Sequence, residues 1–455
     1  MSEQNYLKHL NQYVDANRSR FEDMLGQLVE IPTVSMDPER KNDIRRGGEL
    51  AAEYLRSFGA EATLHETSGN PVVVGRFNVP GAKRTVTIYN HIDVQPAQEP
   101  EWIREPFVFV KEDGRYLGRG TTDDKGPGLS ALLGAAYARE NGVPLNIQFI
   151  WELEEEIGSP HFEEFLKANA DSLKTDSVLV SDTMWISRNK PAIPYGLRGM
   201  FTALMVLQTG DKDTHSGVTG GAARNPLGEL AQVVAACYDG KTGKVKIPGF
   251  YDDVRTITRK EIENFVASGF DTKKFKKVYG FKSLRTNDTV DVLKRIWAMP
   301  TFEVHGLLGG YTGPGVKTVV PPRGELKFSC RLVPNQKPEK IFKLLKNHVK
   351  KINPDVEVIM DAKLDPYLGE LSGEYTDAAV DAIQFGFSRK PAFIREGGSI
   401  GAVVTMQRYL KTPIIFIGLS LPEHGYHAPN ENFDWGQASG GIKTFAKYFT
   451  NVAKL

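Results

Sequence analysis

Apolar positions near the N-terminus recur at intervals of three and four. Tyr6, Leu7, Leu10, Tyr13 and Val14, then Phe21, Leu25 and Leu28, predict a helical opening region. Pro32 in "EIPTVS" breaks it, and another helix is expected near Asp43–Phe58. The pattern then changes. "PVVVGRF", "RTVTIYNHIDV", "LNIQFIWEL" and "SVLVSD" are apolar runs without clean alternation, as strands buried on both faces are. Between them "GPGLSALLGAAYARENG" and "SPHFEEFLKANA" read as helices. The same style returns late, with helix "TDAAVDAIQFGF", strand "PAFIRE", helix "GAVVTMQRYL", strand "TPIIFIGL" and a last helix from Asp434. The expectation is an α/β fold with a mostly parallel sheet and helices on both faces.

The middle of the chain reads differently. "MFTALMVLQTG", "GELKFSCRLVP" and "DVEVIMD" predict strands, and "NPLGELAQVVAACY" and "PEKIFKLLKNHVKKI" predict long helices. Lys241 to Arg323 is less regular. This α+β pattern places an inserted domain at residues 196–365, between the two parts of a discontinuous outer domain, 1–195 and 366–455.

Bulk properties fit that division, since 455 residues are too many for one ordinary core. Lys+Arg 57 against Asp+Glu 56 leaves a net charge of +1, which argues against nucleic-acid or polybasic membrane partners. No apolar run is long enough for a bilayer, and the polar N-terminus lacks an apolar signal core. Cys237 and Cys330 form no CxxC and read as buried free thiols. A cytoplasmic protein is expected.

Ligands of open parallel sheets bind beyond the carboxyl ends of the strands, and metal-ligand residue types collect there. One strand ends at His91 and Asp93. Another runs into "WELEEEIGSP", with Glu152, Glu154, Glu155 and Glu156, and a third ends at Asp182. The last leads to "EHGYHAPNE", with His424 and His427, and "GRGTTDDKGP" carries Asp123 and Asp124. Imidazoles with carboxylates suit zinc, and also manganese or cobalt. So many carboxylates exceed the needs of one ion and favour two, bridged by a shared carboxylate, with a further carboxylate as general base. On pattern alone the four glutamates are equal candidates.

Nine segments in order now carry a resemblance: "YNHIDVQPA", "GRGTTDDKGPGLSALL", "WELEEEIGS", "VSDT", "YGLRG", "DTHSGVTGG", "RLVPN", "EGGSI" and "GYHAPNE". Together they resemble the di-metal peptidases and amidases that include carnosinase, aminoacylase and glutamate carboxypeptidase. "DVQPA", "GLRG", "HSGV" and "RLVPN" look most like the cytosolic non-specific dipeptidase and carnosinase branch. The resemblance implies that His91 and Asp182 bind one metal, Glu156 and His427 the other, and Asp123 bridges both, with a cis peptide after it. It makes Glu155 the general base, and Asp93 the acceptor of the other ring N–H of His91. It implies a lid and dimerisation domain whose His215 reaches the partner's site to stabilise an oxyanion, and Arg331 as holder of the substrate carboxylate. Asn225, Thr318, Glu396, Gly398 and Ser399 are weaker pocket candidates, and Thr318 and Ser399 equally fit turn or cap positions. Asn90 stands where many relatives have Gly and supplies no obvious ligand.

The implied activity is dipeptide hydrolysis in a homodimer with two divalent ions per subunit, Zn2+ first, Mn2+ or Co2+ also fitting. N-acyl-amino-acid amidohydrolase, carboxypeptidase and a non-catalytic metal-binding homologue are the alternatives. His424 reads as a surface residue or a support behind the ligands, Glu154 as solvated or supporting, and His305 as a lid contact or a structural histidine. His9, His65, His161 and His348 read as surface residues. Lys125 and Asp124 read as residues that pin the turn around Asp123.

Overall fold

The computed structural model describes residues 3–455. Its main sheet has six strands in the order Glu61–His65, Val72–Phe77, Asn146–Glu152, Thr85–His91, Ser177–Val180 and Ile414–Phe416. The last four run parallel, and the first two join antiparallel at one edge. Alternation across the pleat divides the side chains between two cores. Val73, Ile88 and Phe149 face the helices Arg18–Val29, Lys41–Ser57, Gly126–Glu140 and Trp435–Val452. Val74, Tyr89 and Ile150 face the helices Phe162–Asn169 and Gly401–Leu410. Burial on both faces is why these strands read as continuous apolar runs, and the expected α/β class is borne out.

Residues 199–364 contribute a separate antiparallel sheet, ordered Thr301–Gly309, Arg323–Leu332, Gly199–Gln208 and Glu357–Leu364. Helices Pro226–Cys237 and Pro338–Ile352 cover one face, around Phe201, Met205, Phe328 and Leu345. Thr301–Gly309 forms an open edge, with Val304, Leu307 and Leu308 exposed.

Two features depart from expectation. The "PAFIRE" strand, Ala392–Glu396, pairs parallel with Ala192–Leu197 in a small sheet of its own rather than joining the main one. The irregular stretch also contains order: helices Arg259–Ala267, Thr272–Val278 and Thr289–Trp297, besides the strand from Thr301. Phe265, Leu293 and Trp297 pack against Tyr195 and Ile394 of that small sheet. The irregular stretch is therefore anchored on the small sheet. Cys237 and Cys330 are buried free thiols, as expected. No helix among the described residues is long and apolar enough to cross a membrane.

Candidate metal centre and active site

The parallel strands Thr85–His91, Asn146–Glu152 and Ser177–Val180 stop at one end of the sheet and deliver His91, the glutamate cluster and Asp182 together. Two ligand triads result, His91 with Asp123 and Asp182, and Asp123 with Glu156 and His427, the potential ligand atoms in each lying within 4.8 Å of one another. His91 Nε2 is 3.1 Å from Asp123 Oδ1 and 3.8 Å from Asp182 Oδ2. His427 Nε2 is 3.0 Å from Asp123 Oδ2 and 3.2 Å from Glu156 Oε2. All five expected ligands thus converge, with Asp123 common to both triads.

Supporting bonds hold the ligands in place. His91 Nδ1 lies 3.0 Å from the backbone carbonyl of Asp93 and 3.5 Å from its carboxylate. The expected carboxylate contact is therefore the longer one, because the Asp93 carboxylate is engaged elsewhere: it accepts the backbone N–H groups of Glu155 at 3.2 Å and Glu156 at 3.0 Å. Gln95 donates to Glu156 Oε2 at 2.7 Å, and the Tyr426 hydroxyl donates to Asp182 Oδ1. The Asp123–Asp124 peptide is cis. Glu431, fully buried, accepts from the backbone N–H groups of Gly120, Thr122 and Asp123 and pairs with Arg119 at 2.9 Å. Asn90 donates to Asp124 and to Ser181, so the residue that replaces Gly ties together the loop after Asp123 and the strand leading to Asp182. Lys125 donates to the Leu28 and Ile31 carbonyls and pins the same loop to the end of a helix.

Some expectations need correction. Of the two readings of His424, the surface one fails and the supporting one fits: it is 1% exposed, with Thr122 Oγ1 3.0 Å from Nδ1 and Asp434 3.1 Å from Nε2. Glu154 is likewise supporting rather than solvated. It is buried and accepts the Asn70 N–H at 2.8 Å while contacting the His161 ring at 3.0 Å. His9 is exposed, whereas His65, His161 and His348 are half-buried. Gln95, in "YNHIDVQPA", and Tyr426 and Glu431, in "GYHAPNE", are further supporting residues that spacing does not single out.

Glu155, Glu156, Asp182 and His427 line one end of a cavity of about 830 Å³ whose other walls include Arg331, Glu396, Gly398 and Ser399. Arg331 Nη1 donates to Ser399 Oγ at 3.0 Å. Glu396 Oε2 is buried without a hydrogen-bond partner. His91, Asp93 and Asp123 sit behind the cavity wall, and the candidates Asn225, His215 and Thr318 of the antiparallel-sheet region lie outside the cavity. Asn225 caps the helix Pro226–Cys237. Exposed His215 accepts the Gly217 N–H, and the Thr318 carbonyl accepts the Ser216 N–H beside it. His305, also exposed, contacts Ser329 Oγ at 2.8 Å.

The electrostatics call for cations. Burial first, then neighbouring carboxylates, pushes Glu155 and Glu156 up and Asp182 up to about 6. Burial would lower the His427 imidazole, yet Asp123 and Glu156 hold it up at about 11. Four carboxylates face two imidazoles in a desolvated cluster, an arrangement that is expensive without positive charge. Asp123 Oδ2 and Glu156 Oε1 are buried yet make no well-formed hydrogen bond. Buried carboxylate oxygens placed this way, Asp123 Oδ2 with only the His427 ring at 3.0 Å and Glu156 Oε1 with no hydrogen bond, fit divalent metal, and the mixed nitrogen and oxygen donors suit transition ions.

Ligand triads at the carboxyl end of a mainly parallel sheet, with an arginine of the antiparallel sheet lining the same cavity, fit a metal-dependent hydrolase. Residues 87–451 match the model of Peptidase family M20/M25/M40. The chain belongs to this peptidase family. It is 31% identical to the Cys-Gly metallodipeptidase dug1 of Schizosaccharomyces pombe, across 99% of both chains. The solved human carnosine dipeptidase 1 superposes with a TM-score of 0.86 at 30% identity, covering 99% of this chain and 100% of that one. The M20 family metallo-carboxypeptidase Sso-CP2 of Sulfolobus solfataricus gives a TM-score of 0.89 at 32% identity, covering 95% and 98%. The resemblance to the dipeptidase and carnosinase branch, and the expectation of an enzyme rather than a non-catalytic homologue, are borne out.

Proposed function

We propose that this chain is a dipeptidase that holds two divalent ions and uses Glu155 as its proton carrier. The observation that carries the reading is the position of Glu155 at the cavity wall, next in sequence to the proposed ligand Glu156, with Arg331 lining the same cavity. His91 and Asp182 would hold one ion, Glu156 and His427 the second, and Asp123 both. Zn2+ suits this donor set first, and Mn2+ or Co2+ also fit. When bound, the ions polarise the scissile carbonyl and acidify the attacking water.

Glu155 accepts the proton of that water and returns it to the departing amine. Burial raises its proton affinity, the direction a base needs. Asp93 fixes the backbone on which Glu155 and Glu156 stand. The Arg331 fork, steadied by Ser399, takes the free carboxylate of the substrate, while the Gly398 carbonyl accepts the Arg198 N–H and holds the turn before Ser399. Glu396, with one oxygen free, suits the α-ammonium at the other end. Recognition of both termini is what confines a hydrolase to dipeptides.

His215 is exposed and outside this cavity, and the strand Thr301–Gly309 presents an open apolar edge. Both support a two-fold homodimer in which His215 stabilises the oxyanion in the partner's site, with Asn225 and Thr318 beside that path. The free buried cysteines support a cytoplasmic setting.

Carboxypeptidase action is the second reading, favoured by the likeness to Sso-CP2. An N-acyl-amino-acid amidohydrolase would leave Glu396 facing an uncharged acyl group. A panel of dipeptides, N-acetyl dipeptides, N-acetyl amino acids and tripeptides, run after chelation and metal re-addition, separates the three. The dipeptidase reading expects acetylation of the N-terminus to abolish cleavage, and efficient turnover of acetylated substrates would sink it.

A further inference from the structure

The segment that looked irregular in sequence builds one wall of the cavity. Asp271 caps the helix Thr272–Val278 by accepting the N–H groups of Lys273 and Lys274. The rings then form a continuous series. Trp297 meets Phe270 at 6.1 Å between centroids, Phe270 meets Phe275 at 5.2 Å, and Phe275 meets Tyr279 at 5.0 Å. Phe281 stacks on Tyr279 at 5.8 Å. Trp297, 6% exposed, roots the series in the protein, while Val278 and Tyr279 are each 50% exposed at its far end. Phe270, Phe275, Val278, Tyr279 and Trp297 line the same cavity as Glu155 and Asp182.

An apolar wall half-open to water costs free energy unless something covers it. A cavity of about 830 Å³ is far larger than two small residues fill. Neither the proposed proton carrier nor the proposed carboxylate clamp uses this wall. We propose that the Phe270–Tyr279 segment is the side-chain specificity wall, and that the preferred substrates are dipeptides carrying an aromatic or large aliphatic residue. This rests on the dipeptidase reading. Tyr279, at the exposed end, closes over the substrate side chain, and Trp297 fixes the segment to the small sheet.

The test is kcat/KM for Phe-Ala, Ala-Phe and Ala-Ala with metal-loaded enzyme, for the natural chain, Tyr279→Ala and Tyr279→Phe. Burying one large apolar side chain predicts a preference of roughly tenfold or more for at least one Phe-containing substrate over Ala-Ala. Tyr279→Ala is expected to collapse that ratio, and Tyr279→Phe to keep it. Because the readout is a ratio within one preparation, a partly unfolded fraction lowers all three rates together and does not produce the expected collapse. Cleavage of Ala-Ala as fast as both Phe substrates, or a ratio unchanged in Tyr279→Ala, overturns the wall and leaves the dipeptidase reading intact. No turnover of any of the three overturns both.

Discussion

Asp93 Oδ1 accepts the backbone N–H of Glu155 at 3.2 Å, so one strand end fixes the proposed proton carrier delivered by its neighbour. The other oxygen does the same for the proposed ligand Glu156 at 3.0 Å. Replacing Asp93 by Asn keeps the shape but turns one acceptor into a donor facing an N–H. Supporting partners of metal ligands typically contribute 10- to 100-fold. Asp93→Asn is expected to lose activity and metal affinity by about that factor, measured by kcat/KM and by competition with a chelator.

Glu431 performs the equivalent task for Asp123. Its carboxylate gathers three backbone N–H groups and the buried Arg119 guanidinium. Breaking a buried pair by removing one partner costs on the order of 3–5 kcal/mol. Glu431→Ala should therefore lower the thermal midpoint by several degrees and speed hydrogen exchange in residues 118–125. An unchanged midpoint would show that the pair is not needed.

Arg331 is the proposed carboxylate clamp. A charge-assisted hydrogen bond is worth about 1.5–3 kcal/mol, so Arg331→Ala should raise KM for dipeptides on the order of tenfold or more. Dipeptide amides, lacking the carboxylate, should be indifferent to the change. Equal losses on both substrate types would remove Arg331 from this role.

Acid stability has a local contributor away from the metal site. Burial alone would raise the Glu261 carboxyl, but the Thr258 N–H and the Arg255 and Arg395 guanidinia outweigh it and hold it down at about 2. A depressed carboxyl contributes stability that is complete above its unfolded value and is lost as pH falls toward the folded one. The loss for Glu261 falls between about pH 4.5 and pH 2. Glu261→Gln should flatten the fall of the metal-free protein's unfolding midpoint across the upper part of that window.

The legible parts of this protein were those whose physics is local. Apolar runs such as Asn146–Glu152 betray strands buried on both faces, and their ends mark where ligands gather. Periodicity passed over the helices between Arg259 and Trp297 because they are short and partly polar. The capping box formed by Thr258 and Glu261 was the readable signal there. Glu154, Glu155 and Glu156 could not be separated by pattern, since neighbouring identical side chains differ only in where the backbone turns. The structure sends Glu154 to Asn70 and His161, and Glu155 and Glu156 to the cavity. Glu431 and Asn90 act through contacts with residues 34 or more positions away, and spacing does not carry such contacts.

The central claim is that Glu155 moves the proton and Glu156 holds metal. Glu155→Gln, reconstituted with Zn2+ or Mn2+, addresses it in one preparation, with metal content by elemental analysis beside kcat on a dipeptide. General acid–base groups contribute about 10²–10⁴-fold. The account predicts close to two ions per subunit, as in the natural chain, with kcat lowered by about that factor. Normal turnover with both ions in place would contradict it.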